Sequence, residues 1–344
     1  MTAMAVNGLT ESELEAVTLA LSAAGVELAG PLRSTLIAGG RSNLTFALTD
    51  SASRWVLRTP PRAGRTPSAH DVAREHRVTA ALADTGVPVP EAVLLCEEVA
   101  VLGGPFTVSG FVEGAAIRTQ SELAPYNESR LPAIATNLLT TLVALHRVDY
   151  RAAGLESFGR PEGYAERQLK RWSGQWETVG PPDLRPLAAD VVVSLRRSMP
   201  KQRATSIVHG DYRIDNTLLA VDDTVAAVLD WELSTLGDPV ADVAMMCAYR
   251  QEPFDLVVGA PSAWTSPRLP AVEALAAGYE AAGGVPLTDW DSHLALACFK
   301  VAVIAAGIDH RRRAGAGAGP GFDTAGEAVG PFLELARDAI GAMP

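Results

Sequence analysis

The chain has 344 residues, 48% hydrophobic and 20% charged, with a formal net charge of −11. That is a globular composition, long enough for one large domain or two smaller ones, and its acidity argues against a general nucleic-acid partner. Three scattered cysteines (Cys96, Cys247 and Cys298), no basic-then-apolar leader and no uncharged apolar run of membrane-spanning length together predict a cytoplasmic protein with no membrane partner, no disulfide framework and no cysteine zinc site.

Residues 10–24 read as a helix, with Thr10 and Glu13 as a capping box and Leu14, Val17 and Leu21 at helical spacing. Three strand-like runs follow, RSTLIAGG, NLTFALTD and SRWVLRTP. The second and third are joined by a short turn, Asp50 to Ser53, which predicts a hairpin. RTPPRAGRTPSAH reads as a surface loop, residues 70–84 as a helix, and VPVPEAVLLCEE and FTVSGFVEG as further strands. Beyond about residue 113 helical periodicity dominates, at 129–147, 162–177, 184–198, 238–249, 268–282, 288–308 and 323–341. The one strand-like pair there lies between Thr217 and Leu229. The expectation is an α+β chain: a small antiparallel-sheet lobe over residues 1–112 and a larger, mainly helical lobe over 113–344, linked by SGFVEG. The AGAGAGPG run at 314–321 fails G-x-G-x-x-G, because Pro320 stands where the third glycine belongs.

The chemistry concentrates in SIVHGDYRIDNTLL, residues 206–219, and in VLDWELSTLGDP just beyond. Asp211 and Asn216 stand at D-x-x-x-x-N spacing. TLLAV and VAAVLD flank a turn centred on Asp223, and antiparallel pairing brings Asn216 and Asp230 opposite each other, roughly 5 Å apart. Two oxygen ligands so placed can share one Mg2+, while Asp211 stands a few residues away to accept a proton. Phosphoryl transfer asks for that set: a metal on the phosphate oxygens and a carboxylate that orients the acceptor hydroxyl. Ordinary turn chemistry accounts for Asp222 and Asp223, and for Asp238–Pro239 as an N-cap and first helical residue.

HGDYRIDN followed by VLDWELSTLGDPVADVA resembles the aminoglycoside phosphotransferase and choline kinase superfamily, which has a protein-kinase-like two-lobe fold. GGRSNLTFAL, WVLRTPP and RQLKRW are most similar to the branch that includes the kinase domains in front of certain acyl-CoA dehydrogenases. The resemblance spans most of the chain. It implies a kinase that uses ATP or GTP and Mg2+ to phosphorylate a small-molecule hydroxyl, acting as a monomer or homodimer. Residue by residue, it implies that Asp211 is the catalytic base and that Asn216 and Asp230 bind the metal. His209 anchors the loop, Arg213 belongs to the same catalytic set, and Asp242 holds the loop from the following helix.

On the nucleotide side, Gly39, Gly40, Ser42 and Asn43 form a turn whose backbone N–H groups can cover phosphates, although glycine-containing hairpins are common. Kinases pair a strand lysine with a helix glutamate, but no lysine precedes Lys170. Arg58 is the available substitute and Glu75 the matching acid; arginine grips phosphate bidentately but is not interchangeable with lysine. The alternative is that Arg58 is a surface strand cation and the chain a catalytically degenerate nucleotide-binding module. The base is expected on backbone groups of the connector, from Ser109 through Phe111 to Val112.

Tyr164, Gln168, Trp172 and Trp176 share one helical face, as core or as pocket. Three consecutive arginines in IDHRRRAGAG suit an anionic acceptor, such as a carboxylate or a CoA ester, better than a polycationic aminoglycoside, and the branch resemblance points the same way, toward a hydroxyacyl compound. Neither a Walker A sequence nor G-x-S-x-G is present, which sets aside P-loop kinases and α/β-hydrolases.

Overall fold

Helix α1 (Glu11–Ala23) begins at a reciprocal cap: the Thr10 hydroxyl accepts from Glu13 N–H, and the Glu13 carboxylate accepts from Thr10 N–H at 2.8 Å. The computed structural model describes residues 8–38, 43–60, 71–317 and 319–341. They form two compact units, one running to Glu113 and including Ala226–Glu232, the other comprising Gly114–Val225 and the chain from Leu233 onward.

In the first unit, β1 (Arg33–Ala38), β2 (Leu44–Thr49), β3 (Arg54–Thr59), β4 (Ala92–Cys96) and β5 (Phe106–Gly110) make one antiparallel sheet in the order β1-β2-β3-β5-β4. The Asp50 carboxylate accepts the N–H groups of Ala52 (2.8 Å) and Ser53 (2.6 Å), which closes the predicted hairpin. The register that follows sets Phe46 opposite Leu57 and Leu48 opposite Trp55. With strand period two, these four side chains share a face, and they pack with Val17, Leu21, Phe106 and Val108 in a single core. Burial of each such side chain contributes about 1.5–3 kcal/mol. Helix α2 (Val72–Leu82), capped by Asp71, buries Glu75 among its apolar residues, and α3 (Val99–Leu102) leads from β4 to β5.

The second unit is mainly helical: α4 (Gln120–Leu123), α5 (Leu131–Arg147), α6 (Tyr164–Val179), α7 (Arg185–Arg197), α8 (Pro239–Ala248), α9 (Phe254–Val258), α10 (Val272–Ala281), α11 (Trp290–Arg313) and α12 (Val329–Gly341). Helix α11 is buried nearly all round by α6, α8 and α12. Among the described residues it is the one helix long and apolar enough to cross a membrane, yet 78% of its apolar window is buried inside the fold. Helix α10 starts four residues later than its periodicity suggests. The Arg250 guanidinium takes the carbonyls of Ser266, Leu269 and Pro270, so the approach to the helix is spent on that side chain.

The structure corrects the strand count in this half. A second pair exists: β6 (Ser206–Val208) runs antiparallel to β9 (Thr235–Gly237), with Ile207 opposite Leu236. Three-residue strands are too short for alternation to reveal them. Between them lie β7 (Thr217–Leu219) and a turn closed by Ala220 N–H to Thr224 O at 2.9 Å, with Asp223 at φ 68°. Strand β8 (Val225–Val228) then carries the chain from the second unit back to the first.

Candidate active site

The segment between β6 and β7 is fastened at several points, all within the second unit. Asp242, on the first turns of α8, accepts from His209 N–H at 2.6 Å and Gly210 N–H at 2.7 Å. Its Oδ2 also meets His146 Nε2 at 3.2 Å, and His146 Nδ1 meets the Tyr279 hydroxyl at 2.8 Å. Burial alone would raise the Asp242 pKa; the hydrogen bond and charge of His146 and the His209 N–H outweigh it and hold the carboxyl below its ordinary value. Gly210 has φ +80°, and a Cβ there would lie 2.9 Å from Leu233 O, so the turn needs glycine. Tyr212 donates its hydroxyl to Leu138 O at 2.8 Å, tying the loop to α5.

This clamped turn presents Asp211. Asn216 Nδ2 donates both to Asp211 O and to Asp211 Oδ2, each at 2.8 Å, closing the D-x-x-x-x-N loop on itself. Arg213 Nη2 donates to the same Oδ2 at 3.0 Å and lies 3.3 Å from Asp215 Oδ2. The Arg213 guanidinium lies over both the Tyr249 ring (4.8 Å) and the Phe254 ring (5.0 Å), which pack against each other. Burial works against its charge, but Asp211 and Asp215 prevail and raise its pKa. Burial, and then the Asp211 charge, pushes the Tyr249 phenol far up, so it stays protonated.

The first unit holds a second charged cluster. Arg58 Nη1 lies 2.8 Å from Glu75 Oε2, and Arg58 Nη2 lies 3.2 Å from Asp230 Oδ1. The buried Asn43 donates Nδ2 to Glu75 Oε1 at 3.1 Å. Carboxylate oxygens of Glu75, Asp230 and Glu232 all lie within 4.8 Å of one another. Burial pushes Glu75 up to about 7; Arg58 pulls it down, but Asp230 and Glu232 push it up again. The Arg58 guanidinium suffers the same burial, yet Glu75 and Asp230 outweigh it and raise its pKa. Asp230 itself adopts φ 62°, a left-handed conformation that aspartate and asparagine tolerate better than other side chains.

A family model described as the phosphotransferase enzyme family matches residues 34–296. The chain belongs to that family. It is 34% identical over 319 residues to acyl-CoA dehydrogenase family member 10 of Mus musculus, covering 91% of this chain and 30% of that protein. It is 36% identical over 290 residues to acyl-CoA dehydrogenase family member 11 of Gallus gallus, covering 81% of this chain and 37% of that one. The chain thus spans about a third of the length of these relatives. Among solved structures, a proposed aminoglycoside phosphotransferase from Ralstonia eutropha superposes with a TM-score of 0.82 at 33% identity, covering 95% of this chain and 98% of that one. A thermostable mutant of aminoglycoside phosphotransferase APH(4)-Ia, solved with ADP and hygromycin B, superposes with a TM-score of 0.62 at 17% identity, covering 91% and 95%. The second likeness is one of fold alone. The α+β kinase-like architecture and the kinship with acyl-CoA dehydrogenase family members agree with the sequence resemblance.

The remaining expected positions fall in three groups. Gly39, Gly40 and Ser42 lie outside the described residues. Ser109 sits in β5 opposite Val56 and Ala92. In the connector, Gly110 N–H goes to Glu91 O (2.9 Å) and Phe111 N–H to Arg54 O (3.2 Å), while the Phe111 ring carries the Arg54 guanidinium at 4.2 Å. Two of the connector's N–H groups are therefore engaged within the sheet, and the Phe111 side chain is stacked on a cation. Sequence reasoning passed over Asp215, Tyr249, Phe254, His146 and Glu232. Asp215 and Glu232 lie within the two motif stretches without occupying their spaced positions; His146, Tyr249 and Phe254 lie outside them, and only the fold gathers the set.

Each of the two expected metal ligands, taken within its own unit, keeps an oxygen that suits a hard divalent cation. Asn216 spends its Nδ2 on Asp211, which leaves the carboxamide oxygen as its ligand atom. Asp230 engages Arg58 through Oδ1 alone, which leaves Oδ2. Oxygen ligands of this kind suit Mg2+ and not a soft metal.

Proposed function

We propose that this protein is a small-molecule kinase that transfers the γ-phosphoryl group of ATP or GTP to a hydroxyl of a small-molecule acceptor, which the branch it resembles makes a hydroxyacyl compound. The observation that carries this reading is the Asp211 carboxylate, fixed by Asn216 and Arg213 on a turn clamped by Asp242. Asp211 accepts the hydroxyl proton as the acceptor oxygen bonds to phosphorus. The bond from that phosphorus to the β,γ-bridging oxygen breaks, and a nucleoside diphosphate departs. Arg213 and Asn216 hold the carboxylate in one orientation, so little reorganisation accompanies the transfer. Arg58, backed by Glu75, steadies the phosphates in place of a lysine. Asn216 and Asp230 would hold Mg2+, which when bound neutralises phosphate charge. His209 anchors the turn, and the base rests on the connector near Ser109 and Phe111. The residues to Glu113 form the nucleotide-binding lobe, and the helical unit supplies catalysis and acceptor binding.

The test is thermal unfolding with ATP and with GTP, each with and without Mg2+, followed by turnover. Ligand at about 100 times its dissociation constant stabilises by roughly 2.7 kcal/mol. Asp230→Asn is the apt variant, because asparagine keeps the left-handed backbone while removing the charge. It should abolish the Mg2+-dependent part of the shift. Asp211→Asn should keep nucleotide binding and lower turnover by roughly 10²–10⁴-fold. A second reading, a degenerate nucleotide-binding module, draws support from Arg58 holding Asp230. Nucleotide binding with no turnover on any hydroxy compound would decide for it.

A further inference from the structure

Arg213 stands between two carboxylates, and the transfer chemistry above uses only one of them. The whole group lies within the second unit. Residue 213 is extended (φ −157°, ψ 165°), and the 3-10 turn Ile214–Asn216, closed by Asn216 N–H to Arg213 O at 3.1 Å, folds the chain back. Asp211 and Asp215 thereby reach the same atom: Arg213 Nη2 lies 3.0 Å from Asp211 Oδ2 and 3.3 Å from Asp215 Oδ2. Among the described residues, no other cation comes within ion-pairing distance of Asp215, and its Oδ1 is buried without a hydrogen-bond partner.

The guanidinium has little else to hold it. Arg213 is 9% exposed, its Nε is buried and unpartnered, and it lies over the buried rings of Tyr249 and Phe254. An aromatic face offsets only part of the cost of burying a cation. Arginine cannot shed its charge, so it needs a counter-ion at every stage of the reaction. One of its two counter-ions does not last. When Asp211 has accepted the proton of the acceptor hydroxyl it is neutral, and its hold on Arg213 Nη2 falls to that of an ordinary hydrogen bond. With Asp211 as sole partner, the buried guanidinium would oppose that proton transfer by the strength of the pair it loses. With Asp215 on the same nitrogen, the pair is kept.

We propose that Asp215 is a positioning residue for phosphoryl transfer: it is the standing counter-ion of Arg213, and it keeps the guanidinium in place while Asp211 is neutralised. This rests on the phosphotransferase reading above and deepens it. In the step itself the acceptor O–H bond breaks and its proton goes to Asp211. The acceptor oxygen bonds to phosphorus as the bond from phosphorus to the β,γ-bridging oxygen breaks, and the nucleoside diphosphate departs. Asp215 takes no proton and acts only through Arg213, whose Nη2 turns from one carboxylate to the other with little movement of its ring-stacked plane. When the product leaves and Asp211 returns its proton to water, Arg213 is still in position to orient it for the next cycle.

The experiment on the full chain has two arms, and the first needs no turnover. Asp211→Asn stands for the neutralised base, and thermal unfolding is measured for Asp211→Asn, Asp215→Asn and the pair. Each single variant leaves Arg213 one carboxylate and should shift the midpoint by only a few degrees. The pair leaves it none and should fall roughly 5–10 °C below the sum of the singles, and Arg213→Met added to the pair should recover most of that loss. If the paired variant does not fold, recovery by Arg213→Met decides in the same way. Additive singles, or a pair that Arg213→Met does not rescue, overturn the inference. The second arm follows nucleoside diphosphate release from Mg-ATP and Mg-GTP, with water and with a panel of hydroxyacyl compounds as acceptors. Asp215→Asn should lower kcat by roughly 10- to 100-fold, the worth of one charge-assisted hydrogen bond, with KM for nucleotide unchanged. In an Arg213→Met background the same change should cost nothing further. A wild-type kcat in Asp215→Asn, or an equal loss with and without Arg213, overturns the inference. A wild type that binds neither Mg-nucleotide, or turns over neither, overturns the kinase reading itself and the part of Asp215 in transfer with it, whatever the stability arm shows.

Discussion

Replacing Asp242 by asparagine tests whether the loop is held as the geometry indicates. In the native fold one carboxylate accepts two backbone N–H groups, at 2.6 and 2.7 Å, and faces His146 Nε2 at 3.2 Å. Asparagine has the same shape but one acceptor oxygen. Its NH2 must then oppose either His209 N–H or Gly210 N–H, leaving a buried donor facing a donor. Hydrogen bonds to a charged group are worth about 1.5–3 kcal/mol each, and an orphaned buried N–H costs about 1–3 kcal/mol. One bond lost and one weakened therefore give a destabilisation of roughly 3–5 kcal/mol, the range seen when a buried charge pair is broken. Urea unfolding followed by tryptophan fluorescence should show a lower midpoint at an unchanged slope. Turnover of the fraction that remains folded should fall as well, because Gly210 directly precedes Asp211. A variant that loses less than about 1 kcal/mol and keeps its activity would refute the claim that Asp242 clamps the turn.

Gly210→Ala places a Cβ 2.9 Å from Leu233 O at φ +80°; left-handed backbone costs an L-residue about 1–2 kcal/mol, so a loss of roughly 2–4 kcal/mol with reduced turnover should appear in paired unfolding and rate measurements. Leu57→Ala empties part of the first unit's core and should cost about 2–5 kcal/mol in the same unfolding assay; a smaller loss would mean that this sheet face is not tightly packed. The pH expectation concerns His293, which burial lowers to about 4, and Asp238, which burial raises to about 6. A histidine whose folded pKa is depressed loses stability as pH falls below its unfolded value of about 6.5, whereas an aspartate whose folded pKa is raised gains stability as pH falls through about 6 toward 4. The two trends oppose each other between pH 4 and 6. His293→Gln removes the first, so stability relative to wild type should climb by up to about 3 kcal/mol from pH 6.5 to 4; a flat difference in urea midpoints would count against the assignment.

Local chemistry was legible in the sequence wherever a motif and its partner lie close together along the chain. The Thr10 cap and the Asp50 hairpin turn each involve residues three apart, and each forms as spacing suggests. The bond of Asn216 to Asp211 is equally local, but the spacing was read as setting Asn216 toward Asp230. The Arg58–Glu75 contact is longer in range but was suggested by residue type, since a lone strand cation and a helix acid were the available pair. What escaped the sequence is what only packing assembles. Tyr249 and Phe254 flank Arg213 from 36 and 41 residues downstream, and His146 reaches Asp242 from 96 residues upstream. The face of Tyr164, Gln168 and Trp172 was ambiguous for a related reason: periodicity shows that side chains share a face, not whether that face meets apolar neighbours or a lysine from α11. Strands β6 and β9 were missed because three residues hold too little alternation to read.

The arginine at position 58 is the sharpest departure from a lysine-bearing kinase lobe, and its geometry argues for use of both terminal nitrogens. One guanidinium edge reaches Glu75 and the other reaches Asp230, so a single rigid plane sets the positions of two carboxylates. Lysine carries the same charge at one point. It can keep Glu75 or Asp230 but cannot span both without losing hydrogen-bond geometry at one of them. Burial favours retention of the Glu75 contact, because Glu75 is the more enclosed of the two carboxylates and loses more when left unpaired. Asp230 would then be released from its cation. Arg58→Lys should therefore fold like wild type and bind Mg-nucleotide with intermediate affinity, while Arg58→Ala should weaken binding by roughly 10-fold or more. Calorimetric titration of nucleotide at fixed Mg2+ measures both. An Arg58→Lys protein indistinguishable from wild type would show that charge alone suffices and that the fork contributes nothing to the nucleotide site.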